Sequence, residues 1–193
     1  MFNPNLATKN IILASGSPRR QQFFLDLNLK FEIRLKEIEE VYPINLAAAE
    51  IPAFLAELKA NAFKDELNDN DLLITSDTIV WLNNKAIGKP IDYNDAFAML
   101  QSLSGNVHEV ITSVCFMTNK DSKIISEVTK VYFNELSDEE IKYYINTFEP
   151  YDKAGAYGIQ DWIGLIGVEK IEGSYANVMG MPVDKVYDYL KNI

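Results

Sequence analysis

The chain has 193 residues, of which 48% are hydrophobic and 24% are charged, as is typical of a globular protein with a sizeable core. Its formal net charge of −10 disfavours a broad surface for binding nucleic acid. With one cysteine, Cys115, and one histidine, His108, the composition excludes an internal disulfide framework and a zinc site of clustered cysteines or histidines.

Apolar runs and the N-terminal residues bear on location. The segment "MFNPNLATKN" lacks the basic region and apolar run of a secretory signal. No apolar stretch approaches the roughly 18 residues that a membrane-spanning helix needs. Together with the single cysteine, these observations predict a cytoplasmic protein with no membrane-spanning segment.

The first predicted unit is a strand, a tight turn and a helix. Residues 10–15, "NIILAS", read as a short buried strand, Ser17 is a typical N-cap, and Pro18 suits the first helical position. Arg19 and Arg20 follow in the first turn, where the helix dipole already favours anions. A bound phosphate or carboxylate would explain both arginines, and a solvated pair of surface arginines fits the local pattern equally well.

A strand and an acidic loop are predicted next. Residues 30–35 alternate like a strand, and residues 37–43 form a loop that contains Glu37, Glu39 and Glu40. Close carboxylates suit a hard cation such as Mg²⁺, although the spacing alone favours a solvated loop. A helix is predicted to begin near Pro52.

Asp77 is the strongest candidate for chemistry. It ends the apolar strand predicted over residues 71–77, "DLLITSD", and ligands of α/β folds lie beyond the carboxyl ends of strands. A turn aspartate that caps the next element is the alternative. Residues 78–90 then predict a hairpin that turns at Asn83 and Asn84.

The second half of the chain continues to alternate between helices and strands. In chain order it predicts a helix that Asp92 caps and that ends before Gly105, strands over 107–118 and 123–133, a helix with a capping box of Ser137 and Glu140, a glycine-rich loop over 149–164, and a last helix beginning at Pro182. The whole pattern predicts an α/β fold with a mixed sheet.

Three lysines are candidates for holding an anion. Lys59 lies beside the apolar stripe of its helix, Lys89 lies in "GKP", and Lys153 lies in "DKAGAYGIQ". Each alone could be a surface lysine. Lys89 lies between glycine and proline and Lys153 lies two residues before Gly155, in segments where these residues set the local backbone path, which makes them the better candidates. His108 lies in a strand pattern with no nucleophile motif nearby and is predicted to be structural.

Taken together, eight segments resemble the Maf family of nucleoside triphosphate pyrophosphatases. They are "LASGSPRR" (13–20), "EIEE" (37–40), "LAELKA" (55–60), "SDTIV" (76–80), "GKP" (88–90), "LSGNVHEVITSV" (103–114), "EPYDKAGAYGIQ" (149–160) and "VMGMP" (178–182). The resemblance extends from about Asn10 to Leu190 and implies a single Maf-like domain over residues 1–193.

The resemblance also implies a fold and a reaction. The fold is Maf/ITPase-like: a mixed central β-sheet flanked by helices, with two lobes around a central cleft. The reaction is hydrolysis of a nucleoside triphosphate between its α and β phosphates, which yields the monophosphate and pyrophosphate and needs a divalent metal cation, Mg²⁺ or Mn²⁺. The family is often dimeric, so a homodimer is one assembly that the resemblance allows.

Family roles fall on particular residues of this chain. By resemblance, Asp77 is the catalytic proton acceptor that activates water, and Glu40 and Asp77 are the carboxylates at the metal. The phosphate-binding residues implied by the resemblance are Ser15, Arg20, Lys59, Lys89 and Lys153.

Three positions separate the branches of the family. Arg19, Thr78 and Gln160 match the branch that acts on dTTP and UTP, whereas the 7-methyl-GTP branch has a bulky aromatic in place of that arginine and "SDQ" in place of "SDT". The resemblance therefore implies pyrimidine triphosphates as substrates and leaves modified pyrimidine nucleotides open. Asp161 replaces the usual glycine and adds a negative charge beside Gln160.

Two other functions remain open at this point. One is a 7-methyl-GTP pyrophosphatase. The other is a nucleotide-binding regulator of cell division or septum formation that no longer hydrolyses, against which the retained Asp77, Glu40 and lysines argue. The net charge of −10 disfavours a nucleic-acid-binding module.

Overall fold

A computed structural model describes residues 4–193, which divide into two units. Unit 1 contains the described residues up to Asp77, together with Thr112–Glu127 and Gly180–Ile193. Unit 2 contains Thr78–Ile111 and Val128–Met179. Two units agree with the two predicted lobes, whereas the central cleft and the single domain over 1–193 stay predictions.

Strands and helices alternate through the described chain. The strands are β1 (Asn10–Leu13), β2 (Glu32–Ile33), β3 (Asp71–Leu82), β4 (Lys85–Ile87), β5 (Val107–Met117), β6 (Ser122–Phe133) and β7 (Val168–Glu172). The α-helices are α1 (Pro18–Asp26), α2 (Glu50–Asn61), α3 (Tyr93–Leu103), α4 (Asp138–Phe148), α5 (Trp162–Gly167), α6 (Tyr175–Val178) and α7 (Val183–Asn192). Short 3₁₀ helices cover Pro4–Thr8, Lys64–Glu66 and Ala154–Ala156. Within residues 4–193, no helix has the length and apolar character needed to cross a bilayer.

The sheet of unit 1 is covered by helices on both faces. Strand β1 lies between β2 and β3 and is parallel to both. Leu13 packs in a cluster with Phe24 of α1 and Leu190 of α7, whereas its neighbour Ile12 packs with Ala56 of α2. Successive residues of a strand point to opposite faces, so a strand buried on both sides reads as the unbroken apolar run seen here.

The sheet of unit 2 contains antiparallel pairs. Strand β4 pairs with β3 through Val80 and Ile87, and β7 pairs with β6 through Val131 and Ile171. Helices α3, α4 and α5 contribute side chains to one hydrophobic cluster with these strands. The prediction of an α/β fold with a mixed sheet flanked by helices is therefore confirmed.

Strand β3 differs from the prediction in a way that concerns Asp77. The sequence predicted a strand ending at Asp77 and a separate hairpin, but β3 runs without interruption from Asp71 to Leu82. Thr78, Ile79 and Val80 are β-branched residues that favour an extended chain, so the strand continues past the acid. Asp77 is therefore an internal strand residue and the last residue of that part of unit 1.

Other element bounds also differ from the predictions. Strand β2 has only two residues, and α2 begins at Glu50, which places Pro52 inside the first turn, where its missing N–H costs no helical hydrogen bond. The predicted loop over 149–164 contains a 3₁₀ turn and the start of α5. The sequence analysis did not predict β7 and α6, whose residues show little apolar periodicity.

Helix capping follows the predictions with one exception. Asp92 accepts a hydrogen bond from Asp95 N at 2.8 Å, and Ser137 and Glu140 form the predicted capping box. Ser17 occupies the N-cap position of α1, but its side chain makes no capping hydrogen bond.

His108 is a buried core residue, which agrees with a structural role. Its Nε2 lies 2.8 Å from Tyr157 Oη, and it packs edge-on against Phe133. Its Nδ1 has no hydrogen-bond partner among the described residues. Burial lowers the pKa of His108 from 6.5 to about 4.

This pKa shift makes stability depend on pH. Between pH 6.5 and pH 4 the unfolded chain binds a proton at His108 that the folded chain does not, so the stability present above pH 6.5 is lost as the pH falls. We expect the free energy of unfolding to fall by about 2 kcal/mol from this residue between pH 7 and pH 5. Urea unfolding of wild type and His108→Gln at both pH values measures the difference. An equal loss in both proteins would contradict the expectation.

Candidate active site

The predicted site residues of unit 1 follow the carboxyl ends of parallel strands. Strand β1 ends at Leu13, which is paired with Ile74, and Ser15 follows it. Asp77 lies further along β3, beyond the last residue paired with β1. The loop that contains Glu40 follows β2. Ligands of α/β folds bind at this edge of a sheet, so the reason for selecting Asp77 holds even though β3 continues past it.

The turn between β1 and α1 is fixed by hydrogen bonds of Ser15. This buried residue accepts a hydrogen bond from Ser17 N on its Oγ at 3.3 Å. Its carbonyl oxygen accepts another from Gln21 Nε2 at 3.0 Å. Ser15 therefore sets the path of the chain into α1, in addition to its predicted contact with phosphate.

Arg20 is held by backbone carbonyl groups. Its Nε donates to Gly180 O at 2.9 Å, and its Nη1 donates to Ser76 O at 2.8 Å. The rigid guanidinium fork matches two fixed acceptors in a way that a lysine cannot. Arg20 thereby connects α1 to the residue before Asp77 and to the segment before α7.

Lys59 brings the two predicted acidic residues together. Its Nζ lies 2.6 Å from Asp77 Oδ1 and 2.8 Å from Glu40 Oε1. The side chains differ in exposure: Asp77 is 9% exposed and Lys59 16%, whereas Glu40 is 45% exposed. Of the two carboxylates, Asp77 is thus the one shielded from water, and Glu40 is the one that faces solvent.

The electrostatics of Arg20 place it in the same cluster. Burial lowers the pKa of Arg20, the charge of Asp77 opposes that shift, the charge of Arg19 adds to it, and Glu40 again opposes it. Arg20 therefore lies within electrostatic reach of Arg19, Asp77 and Glu40, and Lys59 contacts both of those carboxylates.

The carboxylate pair fits a divalent cation that also binds phosphate. Asp77 Oδ1 and Glu40 Oε1 contact the same Nζ, so the two oxygens lie no further apart than the sum of those contacts. Mg²⁺ is usually held by one or two carboxylates together with water and phosphate oxygens. Within residues 4–193, no group of three or more histidine, cysteine, aspartate or glutamate residues is suited to hold a metal, so Glu40 and Asp77 are a two-carboxylate site of this kind.

In unit 2, a backbone contact joins the two segments that carry Lys89 and Lys153. Gly155 N donates to Gly88 O at 2.9 Å. Gly155 has φ of +71°, and a Cβ there would lie 2.9 Å from Val80 Cγ2, so this close approach requires glycine. The two lysines therefore lie in segments that contact each other, with Lys89 exposed and Lys153 partly buried.

Asp161 is tied into unit 2 rather than left as a free charge beside Gln160. Tyr144 Oη donates to Asp161 Oδ2 at 2.7 Å and accepts from Gly158 N at 3.0 Å. Lys153 Nζ lies 2.7 Å from Asp152 Oδ1 and 3.8 Å from Asp161 Oδ2. The negative charge of Asp161 therefore acts on Lys153 as well as on the neighbourhood of Gln160.

The three predicted specificity residues occupy different positions. Arg19 is half-buried in the first turn of α1, Thr78 is half-buried in β3, and Gln160 is exposed immediately before Asp161. Arg19 belongs to unit 1, whereas Thr78 and Gln160 belong to unit 2. Their predicted role in specificity stays a prediction.

In each unit, some residues that contact residues named in the sequence analysis were not themselves singled out from the sequence. Tyr144 of α4 is buried, and its hydroxyl donates a hydrogen bond to Asp161 Oδ2 and accepts one from Gly158 N. Ser76 and Gly180 act through backbone carbonyls, which any residue carries. The only available signal for them was their position inside the segments "SDTIV" and "VMGMP".

Comparisons with known proteins agree with the resemblance. The family model described as "Maf-like protein" matches residues 10–193. A protein of Flavobacterium johnsoniae named dTTP/UTP pyrophosphatase is 62% identical over 193 residues, which cover 100% of both chains. One of Flavobacterium psychrophilum with the same name is 60% identical and covers 100% of this chain and 98% of that relative. The structure of the Staphylococcus aureus Ham1 protein matches 66% of this chain and 73% of its own with a TM-score of 0.46 at 16% identity.

Proposed function

Because this chain belongs to the Maf family, we propose that it hydrolyses dTTP and UTP to the nucleoside monophosphate and pyrophosphate. Full-length relatives at 62% and 60% identity that are named dTTP/UTP pyrophosphatase support this assignment. The observation that carries it is the contact of one ammonium, that of Lys59, with both Asp77 and Glu40.

Asp77 is the proposed proton acceptor for the attacking water. Its carboxylate is nearly buried, and a positioned carboxylate can orient a water molecule and take its proton as the new bond to phosphorus forms. Lys59 and Arg20 place two positive charges beside it. Phosphoryl transfer depends chiefly on positioning and on neutralising the charge that builds on oxygen, and these cations supply that neutralisation.

Glu40 and Asp77 are the proposed ligands of Mg²⁺ or Mn²⁺. Such a cation, when bound, neutralises charge on phosphate oxygens and lowers the pKa of bound water. Glu40 is the more exposed of the two carboxylates, so it would reach a cation that arrives from solvent first. Asp77 retains a second oxygen besides the one that contacts Lys59.

The remaining roles are assigned by family resemblance. Ser15, Lys89 and Lys153 are proposed phosphate-binding residues. Arg19, Thr78 and Gln160 are proposed to select pyrimidine triphosphates, with modified pyrimidine nucleotides as further candidates. The protein is proposed to act in the cytoplasm, and the homodimer stays a prediction.

Pyrophosphate release from dTTP, UTP, CTP, GTP and 7-methyl-GTP, with Mg²⁺ or Mn²⁺, tests the proposal. We expect kcat/KM for dTTP and UTP to exceed that for GTP and 7-methyl-GTP at least tenfold. Turnover confined to 7-methyl-GTP would overturn the specificity assignment while preserving the reaction. Nucleotide binding with no turnover would indicate the regulatory alternative.

A further inference from the structure

The ammonium of Lys59 lies where the carboxylate pair would receive a cation. Its Nζ contacts Asp77 Oδ1 at 2.6 Å and Glu40 Oε1 at 2.8 Å, which are the distances of strong charge-assisted hydrogen bonds. These contacts are made by side chains from three separate parts of unit 1: a loop, the last turn of α2 and strand β3. The pair therefore already has a resident positive charge that belongs to the chain itself.

This resident charge changes what a divalent cation meets. Without Lys59 the pair would present two negative charges, and with it the net charge of the three groups is −1. Asp77 and Lys59 are only 9% and 16% exposed, so water and salt screen their interaction weakly. A cation that binds both carboxylates must therefore share them with the ammonium or displace it.

Lys59 and Arg20 differ in how easily they can be displaced. Arg20 is fixed by two backbone carbonyls, those of Ser76 and Gly180, whose positions are set by the fold. Lys59 contacts carboxylates through a compact ammonium on a flexible four-carbon stem, and phosphate oxygens offer such an ammonium an equivalent partner. An incoming triphosphate could thus take over Lys59, whereas Arg20 would keep its place.

We infer that Lys59 is a positioning residue that keeps free divalent metal off the Asp77–Glu40 pair until nucleotide phosphates draw its ammonium away. The metal is then taken up with the nucleotide rather than before it. This inference rests on the proposed function only in taking Asp77 and Glu40 as metal ligands and a triphosphate as the nucleotide. It adds an order of binding and assigns that order to one side chain.

Binding of Mn²⁺ to the full chain without nucleotide tests the inference. Electron paramagnetic resonance of free Mn²⁺ gives the dissociation constants of wild type, Lys59→Met and Lys36→Met. We expect Lys59→Met to bind Mn²⁺ at least tenfold more tightly than wild type. Lys36 is a matched control, because it also pairs with a carboxylate in unit 1, Glu66, and its replacement should leave the constant unchanged.

Two further measurements make the result decisive. The double variant Lys59→Met with Asp77→Asn should lose the gain, because one of the two carboxylates is gone. The wild-type dissociation constant for Mn²⁺ without nucleotide should be in the millimolar range or weaker. A micromolar constant would overturn the inference, and this measurement does not require Lys59→Met to fold. Equal or weaker binding by a folded Lys59→Met would also overturn it.

Failure of the inference and failure of the proposed function give different results. A protein that releases no pyrophosphate but shows the tenfold gain in Lys59→Met would refute the reaction and preserve the role of Lys59. A protein that releases pyrophosphate from dTTP but binds Mn²⁺ tightly in wild type would preserve the reaction and refute the order of binding.

Discussion

Replacing Asp77 with asparagine is expected to lower kcat for dTTP and UTP by about 10²- to 10⁴-fold. Asparagine keeps the shape of the side chain and an oxygen that can accept the hydrogen bond from Lys59 Nζ, but it cannot take a proton from water. Because the hydrogen bond from Lys59 survives, the variant should stay folded, and the loss of activity should appear in kcat. Initial rates of pyrophosphate release and the melting temperature measure the two effects separately.

Asp71→Asn is the matched control for this variant. Asp71 lies in the same strand and is also buried, but its carboxylate accepts hydrogen bonds from Asn10 Nδ2 at 3.0 Å and from Asn68 N at 2.9 Å. Its replacement should cost about 1–3 kcal/mol of stability, because the amide has one acceptor oxygen where the carboxylate has two, and should leave kcat nearly unchanged. If Asp77→Asn kept more than a tenth of wild-type kcat, Asp77 would not be the proton acceptor.

Local signals explain why much of the fold could be predicted. The run of apolar residues in β1 and in the first half of β3 reflects burial on both faces, and Ser137 with Glu140 forms a cap that depends only on residues close in sequence. Strand β7 lacks such a signal, because the residues of Val168–Glu172 are partly or fully exposed and mostly charged. Its pairing with β6 depends on distant residues, which a local pattern does not reveal.

The sequence indicated which residues belong to the candidate site, but not which of them contact each other. Motif segments select Lys59, Glu40 and Asp77, yet nothing in their spacing shows that one ammonium contacts both carboxylates. That contact depends on α2, β3 and the acidic loop meeting in the folded chain. The family resemblance implied that Arg20 binds phosphate, and the residue pattern left a bound anion or a solvated arginine open, but neither indicated that two of its donors bind the carbonyls of Ser76 and Gly180.

Asp161 shows how tertiary structure changes the meaning of a departure from a family pattern. In the sequence it is an extra negative charge beside Gln160. In the structure its carboxylate accepts a hydrogen bond from Tyr144 and lies near Lys153. A Cβ at Gly158 would lie 2.5 Å from Asp161 Oδ2, so glycine at that position is what lets the carboxylate approach. The acid is thus accommodated by its neighbours.

Removing divalent metal is the second change expected to have a large effect. A chelator such as EDTA should lower the rate with dTTP by about 10²-fold or more, because phosphate charge would then be neutralised only by side chains such as those of Arg20, Lys59, Lys89 and Lys153, and no metal-bound water would be available. Adding back Mg²⁺ or Mn²⁺ in excess should restore the rate. Full activity after exhaustive chelation would contradict the assignment of Glu40 and Asp77 as metal ligands.

The variant Glu40→Gln tests whether the rate lost on chelation reflects metal bound at this carboxylate. Replacing this carboxylate halves the formal charge of the pair, so the Mg²⁺ concentration that gives half the maximal rate should rise on the order of tenfold or more. Glu39→Gln is the control, because Glu39 is an exposed neighbour in the same loop and its replacement removes the same charge from the chain. A shift of equal size in both variants would indicate a general effect of loop charge, whereas a shift confined to Glu40→Gln would support a direct contact with the cation. That separation matters because Glu40 and Asp77 share Lys59, so a weakened metal contact and a released lysine would otherwise lower the rate in the same way.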